Sequence, residues 1–337
     1  MLRRRLVFLV VGFWLFNALW LFPPNILDVS AEKYSSAECV MEIDSRRILY
    51  QEHGDVRLPM ASTTKIVTAL CVLESGIDIN RELSIPQSAV GIEGSSVYLK
   101  EGEKYSVKDL LYGLMLRSGN DCAVALAETL DGSISAFSSR MNDLAQASGA
   151  LNSRFSNPHG LPTKNHYTTA VDLSLITARA MQNSQFCEIV KTTYYAPKNW
   201  TNKNKMLTSY QGAIGVKTGF TKEAGRCLVT AAERNGMRLV ATVLNSPNMY
   251  ERTKVLLDDA FSKYTNRLVL GSKEIVCFAG GQGIPLRDYY FPMLIGEENH
   301  MEVVAHPYFD PKNDKIVGQF QIYLLKRLLF CGNLYKL

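Results

Sequence analysis

Ser62 and Lys65 are the residues whose types and spacing first suggest chemistry. Pro59 and the helical spacing of apolar residues up to Leu73 predict a helix here, on which Ser62 and Lys65 share one face. A serine hydroxyl becomes a nucleophile when a base lies within hydrogen-bond reach. A lysine one turn away can be that base if burial or a nearby cation keeps its amine neutral. Alone, the pair fits an amphipathic helix with an ordinary surface lysine better, because Ser-x-x-Lys is a common pattern.

Two motifs further along the chain favour the catalytic interpretation. They are Ser118-x-Asn120 and, later, Lys217-Thr218-Gly219. Ser-x-x-Lys, Ser-x-Asn and Lys-Thr-Gly in this order are the signature of serine enzymes that recognise penicillin. Taken locally, Ser118 and Asn120 also fit a helix stop and the N-cap of the next helix. The order of all three motifs therefore predicts the serine nucleophile.

The sequence around these motifs resembles the D-alanyl-D-alanine carboxypeptidase family, the low-molecular-mass penicillin-binding proteins. The similarity is strongest over residues 37–264 and continues weakly to the C-terminus. It rests on Ala61-Ser-Thr-Thr-Lys-Ile66, Ser118-Gly-Asn-Asp-Cys-Ala-Val-Ala-Leu-Ala-Glu128, Asn157-Pro-His-Gly-Leu161 and Gly215-Val-Lys-Thr-Gly-Phe-Thr221. The resemblance implies removal of the terminal D-alanine from peptidoglycan stem pentapeptides, with β-lactam antibiotics as inhibitors.

The resemblance also implies a role for each motif residue in acyl transfer. Ser62 attacks the carbonyl of the penultimate residue to form an acyl-enzyme, and Lys65 takes the hydroxyl proton. Ser118 relays a proton towards the leaving amine, while Asn120 binds a substrate amide and orients Lys65. The backbone amides of Ser62 and Phe220 form the oxyanion hole. Water then hydrolyses the ester, so no metal and no cofactor are expected.

The remaining site residues are expected to bind the substrate. Lys217 and Thr218 hold the terminal carboxylate, and the charge of Lys217 helps to lower the pKa of Lys65. Gly219 lets the substrate backbone lie against a strand, because a side chain there would block it. Arg252 matches by spacing a family arginine that lies near the carboxylate.

Composition disfavours several other classes of protein. The net charge of +5 over 337 residues is too mild to indicate nucleic-acid binding. Seven widely spaced cysteines without a Cys-x-x-Cys pair argue against a zinc site and a full disulfide framework, and we expect Cys71, Cys122 and Cys227 to fill the core. The five histidines are scattered, and His159, in an Asn-Pro-His-Gly turn, is expected to be structural.

Residues 1–31 have the pattern of an export signal. Arg3, Arg4 and Arg5 form a basic start, seventeen uncharged residues follow, and Val29-Ser30-Ala31 fits a signal-peptidase site. The alternative is an uncleaved membrane anchor, since this apolar run is just long enough to span a bilayer. Both interpretations place the rest of the chain outside the cytoplasm, secreted or attached to the outer face of the cytoplasmic membrane.

Residues 32–265 are predicted to form an α/β (α+β) catalytic domain of the DD-peptidase/β-lactamase type. Residues 106–181 are almost wholly helical in pattern, which indicates a helical subdomain inserted into a sheet domain. A hairpin is predicted over residues 38–51, and Asn235-Gly236 marks a second one. The Lys-Thr-Gly motif should lie on or just before a strand of this antiparallel sheet.

Residues 266–337 change character and predict a small all-β domain. Strand-like runs are separated there by glycines and prolines. The segment resembles the C-terminal β domain of the carboxypeptidases, which an amphipathic anchoring helix usually follows. We find no such helix, which leaves open whether the β domain is shortened. Membrane attachment is therefore expected through the N-terminal segment.

Two rival functions stay open on the sequence. A β-lactamase shares the motifs but must deacylate quickly, in one class through a glutamate-activated water. We find no convincing glutamate-containing loop before Lys217, and the extra β domain favours the peptidase. Endopeptidase and weak transpeptidase activity also remain open. The second rival is a catalytically silent scaffold that binds the cell wall, against which the intact motif residues argue.

Overall fold

The computed structural model describes residues 36–337. The predicted leader over residues 1–31 lies outside the described residues. Within residues 36–337, no helix has the length and apolar character that crossing a membrane requires.

Antiparallel strands form one large sheet and several small ones. In chain order the strands are β1 (Ala37–Glu42), β2 (Ile48–Glu52), β3 (Glu82–Ser84), β4 (Lys104–Ser106), β5 (Tyr194–Tyr195), β6 (Trp200–Thr201), β7 (Ala213–Thr221), β8 (Gly225–Arg234), β9 (Met237–Leu244), β10 (Tyr264–Leu270), β11 (Val276–Phe278), β12 (Gly281–Gly283), β13 (Tyr289–Leu294), β14 (Met301–Pro307), β15 (Ile316–Leu324) and β16 (Arg327–Tyr335). The large sheet has five strands in the spatial order β2-β1-β9-β8-β7. Its two edges are therefore β2 and β7.

The Asn235-Gly236 turn joins β8 to β9, as predicted. Both residues have left-handed φ angles, 51° and 74°, which the favoured two-residue hairpin turn requires. The hairpin places β8 between β9 and β7, so the Lys-Thr-Gly motif lies within β7 along an edge of the large sheet. The predicted location of the motif on a strand is confirmed.

Helices pack around this sheet and build the predicted helical insert. Among the described residues the α-helices are α1 (Lys65–Glu74), α2 (Val107–Tyr112), α3 (Asn120–Asp131), α4 (Ile134–Ala147), α5 (Ala170–Ala180), α6 (Ser184–Lys191), α7 (Met206–Ser209) and α8 (Met249–Lys263). Ser106 and Thr169 cap α2 and α5, each accepting a backbone N–H at 3.0 Å. The insert is less helical than expected, because residues 148–169 form turns between α4 and α5.

Small antiparallel sheets follow α8, as the strand-like pattern predicts. β10 pairs with β13, β11 with β12, and β14, β15 and β16 form a row. Their core contains Leu270, Phe320, Ile322 and Leu334. The predicted boundary after residue 265 falls inside β10, and the described residues belong to one compact unit. The division into two domains therefore stays a prediction.

Arg47 joins the β1–β2 turn to this C-terminal part. Its guanidinium donates to the two carboxylate oxygens of Glu297 at 2.7 and 2.9 Å and to the Pro292 carbonyl at 2.7 Å. The same guanidinium lies over the rings of Tyr264 and Phe291. Each side of the ion pair is largely shielded from solvent. Removing Arg47 would therefore leave a shielded carboxylate without its partner.

Arg47→Ala is expected to lower the free energy of unfolding by about 3 kcal/mol in a urea titration. Arg46→Ala, which truncates the exposed neighbour, is the control and should cost less than about 1 kcal/mol. Hydrogen bonds from Arg47 lower the pKa of Glu297. The contribution of the pair should therefore be present at neutral pH and be lost as the pH falls through that lowered pKa. Equal losses in the two variants would refute this role for Arg47.

Candidate active site

Ser62 lies in a short 3-10 turn, not in the single helix expected from Pro59. The turn spans Ala61–Thr64, and α1 begins at Lys65. Ala61 has a φ of 49°, a left-handed value that costs a residue with a Cβ roughly 1 kcal/mol or more. Hydrogen bonds hold the turn: the Thr63 hydroxyl donates to the Met60 carbonyl at 2.6 Å, and the Thr64 hydroxyl donates to that of Ala61 at 2.8 Å.

The Lys65 amine is fully buried and contacts three oxygen atoms. Its Nζ lies 2.9 Å from Ser62 Oγ, 2.7 Å from Asn120 Oδ1 and 2.7 Å from the His159 carbonyl oxygen. The Asn120 side chain is oriented by its Nδ2, which donates to the Glu93 carbonyl at 2.5 Å. A neutral amine fits this set of partners, because the two pure acceptors take its two N–H groups. Its lone pair then faces the Ser62 hydroxyl, whose proton it can accept.

The electrostatics of the site also favour the neutral amine. Burial, followed by the nearby charge of Lys217, holds the pKa of Lys65 well below its ordinary value. Burial and the charge of Lys203 lower the pKa of Lys217 to about 7. Because the pKa of Lys65 is lowered, its neutral amine can act as a general base.

His166 supports the nucleophile turn, and the sequence analysis assigned it no role. Its Nδ1 accepts the backbone N–H of Ser156 at 3.1 Å, so its Nε2 carries the proton and donates to the Thr64 hydroxyl at 2.8 Å. Burial and the neighbouring Lys65 lower the pKa of His166 to about 4, which keeps the ring neutral. The scattered histidines carried no signal that could have identified this contact.

The Asn-Pro-His-Gly turn presses against the same segment. Asn157 Oδ1 accepts the Gly160 amide at 2.7 Å, and its Nδ2 donates to the Leu161 carbonyl at 2.9 Å. Gly160 has a φ of +94°, and an added Cβ would lie 1.9 Å from the Ala61 carbonyl oxygen. The turn also supplies the carbonyl of His159 to Lys65. The sequence showed that this turn resembles the family, but it did not predict the contacts that the turn makes.

Ser118 and Asn120 lie at a break between helices, as predicted. A five-residue π-helical turn, Gly113–Arg117, ends at Ser118, whose φ of 63° is left-handed, and Asn120 opens α3. The adjacent Asp121 carboxylate accepts the Ser96 hydroxyl at 2.5 Å and the backbone N–H groups of residues 97 and 99. Ser96 is thus an anchor for this loop, a role that the sequence analysis did not assign to it.

The Lys-Thr-Gly strand runs directly beside the nucleophile turn. An added Cβ at Gly219 would lie 3.0 Å from the Met60 carbonyl oxygen and 3.1 Å from the Ser62 amide nitrogen. Glycine at this position therefore makes room for the nucleophile turn. The sequence predicts another reason for this glycine, which is to make room for the substrate backbone. Lys217 is buried and donates to the Thr218 carbonyl at 2.9 Å. The Phe220 side chain, by contrast, is 63% exposed.

The structure does not bring Arg252 to this site, which corrects the prediction for that residue. Its guanidinium donates to the Glu38 carboxylate at 2.6 to 2.9 Å and to the Tyr50 hydroxyl at 3.0 Å. Glu38 is on β1 and Tyr50 is on β2, at the sheet edge opposite β7. Spacing along the chain matched a family arginine, but the ion pair with buried Glu38 holds this one elsewhere.

Within residues 36–337, no group of three or more His, Cys, Asp and Glu side chains could hold a metal ion. The arrangement that is present can deprotonate a serine hydroxyl for attack on a carbonyl carbon. The fold and the site together define a serine hydrolase of the penicillin-recognising class. The chain belongs to the D-alanyl-D-alanine carboxypeptidase family, because the family model of that description matches residues 26–248.

Individual relatives agree with this assignment. The chain is 35% identical to the D-alanyl-D-alanine carboxypeptidase DacF of Bacillus subtilis. The aligned segment covers 67% of this chain and 61% of DacF, which is less than two thirds of that protein. It is 38% identical to the D-alanyl-D-alanine carboxypeptidase of Streptomyces sp. K15, over 60% of this chain and 78% of that one. Penicillin-binding protein 5 from Haemophilus influenzae superposes with a TM-score of 0.75 at 25% identity, covering 89% and 95% of the two chains. The predicted fold class is confirmed.

Proposed function

We propose that this protein is a serine-type D-Ala-D-Ala carboxypeptidase that removes the terminal D-alanine from peptidoglycan stem pentapeptides. The observation that supports this most directly is the buried Lys65 amine, 2.9 Å from Ser62 Oγ with its other two partners being acceptors. The family of the chain supports the substrate class.

The proposed acylation begins with Ser62. Lys65 takes the hydroxyl proton as Ser62 Oγ bonds to the carbonyl carbon of the penultimate D-alanine. The negative charge that develops on the carbonyl oxygen is held by the backbone N–H groups of Ser62 and Phe220. The peptide C–N bond then breaks, and Ser118 relays a proton to the leaving nitrogen of the terminal D-alanine. Asn120 orients Lys65 throughout and offers its amide group to the substrate backbone.

The same residues complete the reaction. Water adds to the ester carbonyl with Lys65 as the base, and the bond to Ser62 breaks to regenerate the hydroxyl. Lys217 and Thr218 bind the terminal carboxylate of the substrate at the edge of β7, and Gly219 keeps that strand close to the nucleophile turn. A β-lactam would enter by the same route, with its amide C–N bond taking the place of the peptide bond. Arg252 has no place in this scheme.

The location and the partners follow from the same proposal. Residues 1–31 would export the chain, which would act on cell-wall peptides on the outer side of the cytoplasmic membrane, either secreted or held by the uncleaved leader. Residues 32–265 would form the catalytic domain and residues 266–337 a small β domain. The relatives include proteins named as an endopeptidase and as a DD-transpeptidase, so the acyl acceptor is part of what must be tested.

Penicillin acylation tests the proposed nucleophile. Intact mass spectrometry of residues 32–337 after incubation with penicillin should show one lasting adduct, and Ser62→Ala should show none. Release of D-alanine from a D-Ala-D-Ala pentapeptide should fall in that variant by about a thousandfold or more. Penicillin consumed without a lasting adduct would indicate a β-lactamase instead. Folded protein with neither adduct nor consumption would leave the catalytically silent scaffold.

A further inference from the structure

Lys203 is a cation beside the site to which the proposed mechanism gives no role. Its ammonium group donates to the Ser95 hydroxyl at 3.2 Å. The Ser95 carbonyl accepts the backbone N–H of Asn120 at 2.7 Å. The side-chain oxygen of Asn120 in turn accepts from Lys65, which contacts Ser62. A continuous chain of contacts therefore places Lys203 on the rim of the cleft, on the side of Asn120.

Arg117 adds a second cation to this rim. The backbone amide of Lys203 donates to the Leu116 carbonyl at 3.1 Å, and the Arg117 guanidinium donates to the Thr201 carbonyl at 3.1 Å. These contacts join the segment that contains Lys203 to the helix end just before Ser118. Among residues 36–337, the Lys203 side chain hydrogen-bonds to the Ser95 hydroxyl and the Arg117 side chain to the Thr201 carbonyl. Neither cation is paired with a carboxylate there.

The positive charge in this part of the cleft exceeds what one bound carboxylate would neutralise. The charge of Lys203 helps to lower the pKa of both Lys65 and Lys217, so it acts across the site. Burial, followed by the charge of Arg117, lowers the pKa of Lys203 in turn. The carboxylate of Asp121 is buried and already accepts hydrogen bonds from the adjoining loop. A terminal carboxylate bound at Lys217 would leave Lys203 and Arg117 without a counter-charge.

We propose that Lys203, with Arg117 beside it, binds a second carboxylate of the peptide substrate, carried by the side chain of the residue that precedes the penultimate D-alanine. This proposal rests on the proposed function. A substrate whose C-terminus lies at Lys217 and whose scissile carbonyl lies at Ser62 continues past Asn120 towards its N-terminus. The cation on that side is Lys203. A flexible ammonium group on a rim selects a charged side chain through binding, not through the chemical step.

Two soluble pentapeptides ending in D-Ala-D-Ala test this proposal. One has a free carboxylate on the side chain of its third residue, and the other has a primary amide in the same place. The wild-type protein should show a KM about fivefold lower for the acidic peptide, with similar kcat values. Lys203→Gln should remove the preference by raising the KM of the acidic peptide relative to that of the amide peptide. Lys205→Gln, which changes an exposed lysine two positions away, should keep it.

Penicillin separates this proposal from the proposed function, because benzylpenicillin has a single carboxylate. Removing the charge of Lys203 affects the pKa of Lys65 whatever the substrate, so penicillin acylation and turnover of the amide peptide should change to the same extent in Lys203→Gln. That result, together with the lost preference for the acidic peptide, would support the second binding site. A parallel loss of penicillin acylation and of turnover of both peptides would overturn it, since Lys203 would then serve the terminal carboxylate or the base. A preference that survives in Lys203→Gln would overturn it as well. Absence of any adduct on the wild-type protein would instead refute the proposed function.

Discussion

Lys65→Met is expected to slow the acylation of Ser62 by penicillin by about a thousandfold, in the range of general-base effects. The physical reason is that the Lys65 amine lies 2.9 Å from Ser62 Oγ and is the side-chain hydrogen-bond partner of that oxygen among the described residues. Time-resolved mass spectrometry of the adduct measures this rate directly. Methionine is chosen because it fills a similar volume in a fully buried position, so packing changes little.

Lys65→Arg is the matched control for charge. A guanidinium group keeps its proton, so this variant should be as slow as Lys65→Met although it places a cation in the site. Circular dichroism and a urea titration should show that both variants fold. Lys65→Met should still fold but should lose about 1 to 3 kcal/mol of stability, because the buried Asn120 Oδ1 and the His159 carbonyl lose the group that donates to them. A folded Lys65→Met variant with less than a tenfold loss in rate would remove Lys65 from the role of base.

The pH dependence of the wild-type acylation rate follows from the same amine. Only the neutral form accepts a proton, so the rate should rise with pH and level off once Lys65 is deprotonated. Since burial and Lys217 lower the pKa of Lys65, this limb should lie well below the ordinary lysine value of 10.5. Lys217→Met, which removes the neighbouring charge, should move the limb to higher pH.

Gly160→Ala is expected to lower the free energy of unfolding by about 3 kcal/mol and to disable the site in the protein that remains folded. Two costs add at this position. The φ of +94° disfavours any residue with a Cβ, and the new atom would lie 1.9 Å from the Ala61 carbonyl oxygen. The backbone of the nucleophile turn cannot yield without moving Ser62.

Gly132→Ala separates the two costs. Gly132 has a φ of +74°, but an added Cβ there would have no heavy atom within 4 Å. It should therefore lose only the conformational cost, about 1 kcal/mol, and should acylate at the wild-type rate. Urea titrations and penicillin acylation of both variants make the comparison. Equal stability and equal rates in Gly160→Ala and Gly132→Ala would show that the close contact with Ala61 has no consequence.

Local patterns in the sequence predicted most of the elements that support the site. The hairpin signal at Asn235-Gly236, the strand containing the Lys-Thr-Gly motif and the helix break at Ser118 are all present. Each depends on backbone preferences and burial within a few residues, and these are properties that a short segment already contains. The proximity of Ser62 and Lys65 is of the same kind, although a 3-10 turn takes the place of the expected first helical turn.

Such local patterns could not predict contacts between segments that are distant in the sequence. His166 donates to Thr64 across about a hundred positions of the chain, and Gly160 packs against Ala61. Nothing near His166 in the sequence distinguishes it from the other histidines. The prediction for Arg252 was wrong for the converse reason. Its spacing along the chain matched, but its guanidinium forms an ion pair with buried Glu38, away from β7.

The sequence by itself determined the chemistry that this protein can attempt, since the three motifs supply a serine, a lysine base and a binding strand in a recognisable order. The tertiary structure decided the protonation state of the base and the membership of the site. Burial of Lys65 between Asn120 and the His159 carbonyl, together with the charge of Lys217, sets its pKa, and these groups meet only in the folded chain. The physical reason is that desolvation and electrostatic coupling depend on distances in space, which spacing along the chain does not encode.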